Sequence, residues 1–269
     1  MTLREHLDEL RKRLMFISLF LVIGVVAAFV FRDYVMEFLL EPGGFDERGE
    51  KPIATEVLET VSVMFKVSFM VGFVVSLPVI LYQLIRFVSP GLTSREKAYL
   101  YLFLPGVLVA FAGGVAFAYY VLLPPALEFL FEFGGDIVDP ETRISSYISV
   151  VTALMFWMGV VFQIPLVLFA LARFGIVTPR FLSRFRRFAI VLAFIAAAII
   201  TPTFDPVNQT LVAVPIIILY EIGIVLARLG QRLRGGATAE QERGPGLVRR
   251  TGRRLAFWRW RPRFRFWRS

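Results

Sequence analysis

The chain is 269 residues long, 57% hydrophobic and 15% aromatic, with a mean hydropathy of +0.68 and a formal charge of +9. Soluble domains average roughly 45–50% apolar residues, so the composition excludes an ordinary water-soluble domain and points to a bilayer. The absence of cysteine excludes disulfides and thiolate metal sites, and the single His6 excludes a histidine cluster.

A helix needs ~20 apolar residues to cross a hydrocarbon core of about 30 Å, and here the apolar residues come in separated runs. The first, 14–31, is uncharged and follows Arg4, Arg11, Lys12 and Arg13. Glu5, Asp8 and Glu9 precede it and no small-residue cleavage site follows, which predicts a retained first helix rather than a cleaved signal. Thr2-Leu3-Arg4-Glu5 has the form of a capping box. Asp8 and Glu9 stand four residues before Lys12 and Arg13, a spacing that stabilises a helix surface by a few tenths of a kcal/mol. On that reading Glu9 is solvated.

The second run, 61–88, is interrupted by Lys66 near its start and Arg86 near its end. A polar hinge, SPGLTSREK at 89–97, separates it from the uncharged third run, 99–123. Within the hinge Thr93-Ser94-Arg95-Glu96 repeats the capping-box form, so the local pattern reads Glu96 as a helix cap. The fourth run, 148–171, holds Gln163, and two shorter runs follow at 188–200 and 211–226, the second holding Glu221. The thirteen residues of the fifth run make a helix of roughly 20 Å. This pair is therefore either a re-entrant or buried hairpin, or a true short hairpin that thins the bilayer beside it. Between the two, TPTFDPVNQ lets Pro202 stop one helix and Asp205-Pro206 open the next.

The connections alternate in charge. Residues 33–60 hold eight acids against Arg48 and Lys51, residues 124–147 hold five against Arg143, and 201–208 hold only Asp205. The N-terminal segment, the hinge with Arg86, Arg95 and Lys97, and residues 173–187 with five arginines are basic. Basic connections stay in the cytoplasm, which predicts both termini there and an all-α, polytopic membrane protein of six transmembrane helices. Lys66, Gln163 and Glu221 are polar groups at membrane depth, functional by default, and leave a small-solute secondary transporter as one reading. Against it, transporters are often built from matching halves, and runs of 18, 28 and 25 residues do not resemble runs of 24, 13 and 16. No HExxH, GxSxG, Gly-rich phosphate loop or pair of intramembrane aspartates is present, so neither an enzyme nor a cofactor is expected.

Past residue 230 the composition changes. Residues 231–269 hold twelve arginines and two acids, a charge of +10, so the rest of the chain carries −1. GGATAEQERGPG reads as a flexible polar linker, and the closing WRWRPRFRFWRS alternates tryptophan with arginine. Arginine near an anionic leaflet is worth ~1 kcal/mol each and indoles favour the headgroup zone. Adhesion of the tail to anionic lipids is the first reading, with nucleic acid the lesser alternative.

Several stretches, in order and on alternate sides of the six runs, belong together: EHLDELRKRL at 5–14, LPVILYQLIRFVSPGLTSREK at 77–97, FQIPLVL at 162–168, GIVTPRFLSRFRRF at 175–188 and TPTFDPVNQTLVAVPIIILYEIG at 201–223. In these, from residue 1 to about 230, the chain resembles TatC, the polytopic core of the twin-arginine translocase, which recognises folded export substrates by a paired-arginine signal peptide. The resemblance implies that Glu9 and Glu96 form the site for the twin arginines. A guanidinium is a rigid fork that a carboxylate takes bidentately, and lysine does not reproduce it. Phe87 and Pro90 match positions around that site; the plainer readings are an ordinary lipid-facing or core aromatic and a turn.

The family carries a polar residue, often Glu, in its fourth span, where this chain has Gln163, a departure that keeps hydrogen bonding and loses charge. Pro78, Pro105, Pro165 and Pro215 each free a carbonyl and kink a span. Packing alone accounts for such kinks, whereas the resemblance implies a concave bundle with short fifth and sixth spans and a polar groove, holding Gln163 and Lys66, for the apolar part of the signal. Asp205 and Gln209 at the outer turn also match family positions, with capping the plainer reading for Asp205, and Glu221 at the inner end of the last span would pair with a basic neighbour. Also implied are small single-span partners of the TatA and TatB type, a bilayer thinned at the short spans, the proton motive force as energy source, and the inner membrane of a prokaryote. A homo-oligomer is left open.

Overall fold

The computed structural model describes residues 3–45, 52–88, 94–132, 142–201 and 205–242. Among these the chain is helical, with a single β-bridge between Ile53 and Arg143. Helix α1 (Leu3–Val30) leads to the short α2 (Arg32–Leu40), and α3 (Glu59–Val88) returns. The third span joins α4 (Ser94–Phe117) to α5 (Leu123–Glu132) through a π-helical turn, and the fourth joins α6 (Ile144–Val161) to α7 (Ile164–Phe174). Helices α8 (Pro179–Ile200) and α9 (Pro206–Glu242) complete a six-span, all-α membrane bundle. Leu3, Val88 and Phe174 lie on one face, called near here; α2 and the starts of α3, α6 and α9 lie on the far face.

The helices overrun the apolar runs that announce them. Segments of α1, α3, α4–α5, α6–α7 and α9 are long and apolar enough to cross a bilayer. Helix α8 is 22 residues long, but its first half carries Arg180, Arg184, Arg186 and Arg187. It starts early because Thr178 caps it, its hydroxyl accepting from Phe181 N at 3.3 Å with Pro179 in the first turn. What is short in the fifth span is therefore its apolar part. Helix α9 continues through Gly235 to Glu242, where composition reads a linker; residues 243–269, with the Trp/Arg end, lie outside the described set.

Two spans are interrupted at prolines. Pro124 and Pro125 follow the π turn Ala118–Leu122, in which Leu123 N–H reaches back to Ala118 O; the widened turn makes room for a ring that would crowd the preceding carbonyls. In the fourth span the helix stops at Phe162–Gln163, and Pro165 stands in the opening turn of α7 rather than inside a continuous helix. Pro78, Pro105 and Pro215 lie within α3, α4 and α9.

Lipid tails are as apolar as leucine, so helices in a bilayer associate through close fit and small residues rather than through a hydrophobic drive. Helices α1 and α3 follow this rule and run antiparallel. A Cβ on Gly72 would lie 2.5 Å from Val25 N, and one on Gly24 would lie 2.7 Å from Gly72 O. Along the same seam Ser76 Oγ donates to Phe20 O at 3.0 Å, and Phe29 stacks on Phe65 with centroids 5.4 Å apart. Helix α3 packs in turn on α6, α4 on α6, and α9 on α7 and α8.

The main core sits toward the far face. Leu39, Tyr119, Leu123, Ile148, Val151, Ala197 and Val212 are buried together there. Nearer the other face Ala172, Leu182, Ile224 and Ala227 form a small second cluster confined to α7, α8 and α9. Toward the near face the α1–α3 pair and the α7–α9 group pack separately with α4 between them, Tyr101 lying on Tyr82 of α3 with centroids 6.2 Å apart and Phe103 on Phe169 of α7 at 5.2 Å.

Gly72→Ala should lower the thermal unfolding midpoint in detergent, with about 1–3 kcal/mol lost to overpacking. Gly113→Ala should be silent, because a Cβ there meets nothing within 4 Å.

Candidate functional site

The α1–α3 seam ends at the near face in a group of polar and aromatic side chains. His6 stacks on Phe87 with ring centroids 4.5 Å apart. Arg13 crosses the seam, its Nη1 donating to Gln83 Oε1 at 3.5 Å, while its Nη2 donates to Glu9 Oε1 one turn earlier. The i,i+4 pair of the sequence therefore forms, but it is not a solvated surface pair: Glu9 is 22% exposed and Arg13 12%. Glu9 Oε2 and Arg13 Nε are buried with no hydrogen-bond partner among the described residues. A buried acceptor left unfilled is costly and uncommon in native structures, so this carboxylate is ready for a further donor.

Phe87 is part of this group through His6. Pro90, Thr93 and the Glu96 side chain lie outside the described residues, although the backbone of Glu96 falls in the first turn of α4.

The two residues assigned to one intramembrane groove do not meet. Lys66 Nζ donates to Ser149 Oγ at 2.7 Å, linking α3 to α6 near the far face. Gln163 lies on the same span as Ser149, roughly 20 Å further along the helix. Its Nε2 donates to Val107 O of α4 at 3.1 Å and to Gly159 O at 3.3 Å. Gln163 N–H bonds Val160 O, so the helix break leaves Gly159 O to the side chain. The amide mends the interruption it sits in and ties it to α4. Its Oε1 is buried and has no partner among the described residues.

The outer-turn residues act within the fold. Asp205 caps α9, Oδ1 accepting from Asn208 N at 2.6 Å and Oδ2 from Asn208 Nδ2 at 3.2 Å. Gln209 Nε2 donates to Phe194 O at 3.0 Å, fastening α9 to α8. Glu221 pairs with Arg186 of α8 at 2.9 Å, both about half exposed, and Tyr220 Oη beside it donates to Leu182 O at 2.9 Å.

A second polar cluster, on the far face, was not singled out from the sequence. Glu59 at the start of α3 is 4% exposed. It accepts from Arg143 Nε at 2.8 Å, Ser145 N at 3.1 Å, and Thr55 N at 2.7 Å. Arg143 also reaches Glu56 at 3.0 Å, and the two carboxylates hold its guanidinium above the ordinary arginine value, Glu59 foremost. Around this clasp Ile53 N donates to Thr142 O and Ile144 N to Ile53 O. Tyr147 Oη donates to Leu39 O and Tyr119 Oη to Phe38 O, each at 2.8 Å. The one signal in the sequence is Arg143 itself, a single base among five acids in its connection. No group of three or more metal-ligating side chains gathers among the described residues, and the chemistry available at the near face is recognition of a cation.

Residues 5–215 match the family profile described as Sec-independent protein translocase protein (TatC). The Sec-independent protein translocase protein TatC of Aquifex aeolicus is 40% identical over 234 residues, covering 86% of this chain and 97% of its own length. That of Carboxydothermus hydrogenoformans is 35% identical over 228 residues, covering 85% and 93%. A solved structure described as a crystal structure of the twin arginine translocase receptor TatC superposes with a TM-score of 0.74 at 39% identity, over 84% of this chain and 99% of that one.

Gln163→Met removes both amide bonds and bares the Gly159 carbonyl, and should cost about 1–3 kcal/mol in thermal unfolding. Glu59→Gln should lower the unfolding midpoint more than Glu56→Gln does, because Glu59 is 2% exposed in its side chain and Glu56 72%.

Proposed function

The chain belongs to the TatC family of Sec-independent protein translocase proteins, and we propose that it receives paired-arginine signal peptides at its near face, which faces the cytoplasm. It is a multi-pass membrane protein of a twin-arginine translocase, and the solute-transporter reading has no support in these matches. The observation that carries the site reading is Glu9: a carboxylate mostly withdrawn from water, at the face where the basic connections gather, with one oxygen unfilled. A guanidinium supplies the two parallel donors that a carboxylate accepts best. Two arginines call for two acids, and Glu96, opening α4 after the short hinge from Phe87, is the second.

Phe87, held by His6, and Pro90 shape the hinge that presents Glu96. The apolar segment that follows the arginines in a signal enters between the α1–α3 pair and the α7–α9 group, alongside α4. Gln163 and Lys66 give that path its polar character at two depths. The short apolar part of α8, with α9, offers an edge to small single-span partners of the translocase, and Asp205 and Gln209 keep that hairpin's turn in place. The arginine-rich tail holds to anionic lipids of the inner leaflet. Transport of folded cargo driven by the proton motive force belongs to the same proposal.

The test is binding of a peptide bearing Arg-Arg and an apolar segment, against its Lys-Lys twin, to the full chain in lipid nanodiscs. Arg-Arg should bind roughly tenfold or more tightly, the worth of a charge-assisted hydrogen bond, and Glu9→Gln and Glu96→Gln should each erase the difference. Equal binding of the two peptides to the unmodified chain would reduce Glu9 to a helix pair and Glu96 to a cap.

A further inference from the structure

The acid site already contains an arginine. Arg13 Nη2 sits on Glu9 Oε1, its Nη1 is turned to Gln83 across the seam at 3.5 Å, and Glu9 Oε2 and Arg13 Nε are both buried and unfilled among the described residues. A guanidinium fully engaged with a carboxylate makes two parallel bonds. Arg13 makes one, because it shares its other arm with α3. The pair is therefore an incomplete copy of the complex that an arginine ligand would form.

We propose that Arg13 is a placeholder which a signal arginine displaces, so that every cation arriving at Glu9 must first break a bond and only a ligand making two bonds there gains by the exchange. The inference rests on the reading of Glu9 as a ligand of the signal. An incoming arginine trades one bond for two and fills Oε2. An incoming lysine has a compact ammonium without the fork; it trades one bond for one and leaves Oε2 unfilled. Because a cation is already present, the bond to be broken weakens both ligands by the same factor, which leaves lysine with no net bond and arginine with one. A bare carboxylate would attract either cation, whereas a carboxylate already holding one rewards only the better fit. Gln83 has a part in this: it keeps Arg13 one-armed at Glu9 and remains its acceptor after displacement.

The experiment uses the full chain in nanodiscs with the Arg-Arg and Lys-Lys peptides, comparing the unmodified protein with Arg13→Gln and Arg13→Lys. In Arg13→Gln the Lys-Lys peptide should bind roughly tenfold more tightly than it does to the unmodified protein, the worth of a bond it no longer has to break. The Arg-Arg peptide should tighten by a similar factor, so that the ratio of the two stands while both affinities rise. Arg13→Lys restores a one-armed cation and should return both affinities toward those of the unmodified chain. If Arg13 only supports the helix pair, Arg13→Gln weakens both peptides or leaves them unchanged, which overturns the inference and leaves the site reading intact. If the unmodified chain does not distinguish the peptides, both fall. Gln83→Leu is an independent arm that does not touch the pair: Arg13 is then free to close on both oxygens, and both peptides should bind more weakly. Unchanged or tighter binding in that variant also overturns the inference.

Discussion

The close approach of α1 and α3 is the constraint on which the near-face site depends. With no water to expel between them, two helices in lipid stay together only if their surfaces fit, and here the fit is made by Gly24 and Gly72, where there is no room for a Cβ. That contact fixes an antiparallel register. Once Gly24 faces Gly72, Phe20 faces Ser76 and Phe29 faces Phe65 on either side of it. Arg13 then meets Gln83, and His6 meets Phe87. The chemistry of Glu9 is thus decided more than two helical turns away, by residues with no polar side chain.

Much of this was legible in the sequence, and its limits have physical causes. Apolar run length and the alternation of charge between connections reveal six spans because the bilayer imposes both. Helix boundaries were less legible, since a polar turn outside the hydrocarbon has no reason to stop being helical: α8 begins at the Thr178 cap, in the middle of a basic stretch. Glu9 and its partner Arg13 could be named from their spacing, but not their burial, which comes from α3 lying over them. Lys66 and Gln163 looked alike as polar groups in apolar runs, yet they sit at different depths with unrelated partners. The Glu59 cluster joins residues more than eighty positions apart, and no local pattern carries that information. Asp205 is the opposite case, a cap signalled by Asp-Pro and found as one.

Gln163 shows what an amide does at a break inside the membrane. The side chain serves as a donor, to a carbonyl its own broken helix leaves without a partner and to another on α4. An amide has those donors permanently, while an ionised carboxyl has none. At this position the chain has the residue that repairs the backbone whatever the proton supply.

The clasp of Glu59, Arg143 and the Ile53 bridge ties the starts of two spans together at the far face, over the larger of the two cores. At the opposite ends the link is of another kind: α4 stands between the two groups, meeting α3 through Tyr82–Tyr101 and α7 through Phe103–Phe169. Hydrogen-bonded ions fix both distance and direction, whereas rings in contact can slide on one another. The two ends of the bundle are therefore fastened unequally, pinned where Glu59 and Arg143 meet and more yielding toward the face that carries Glu9.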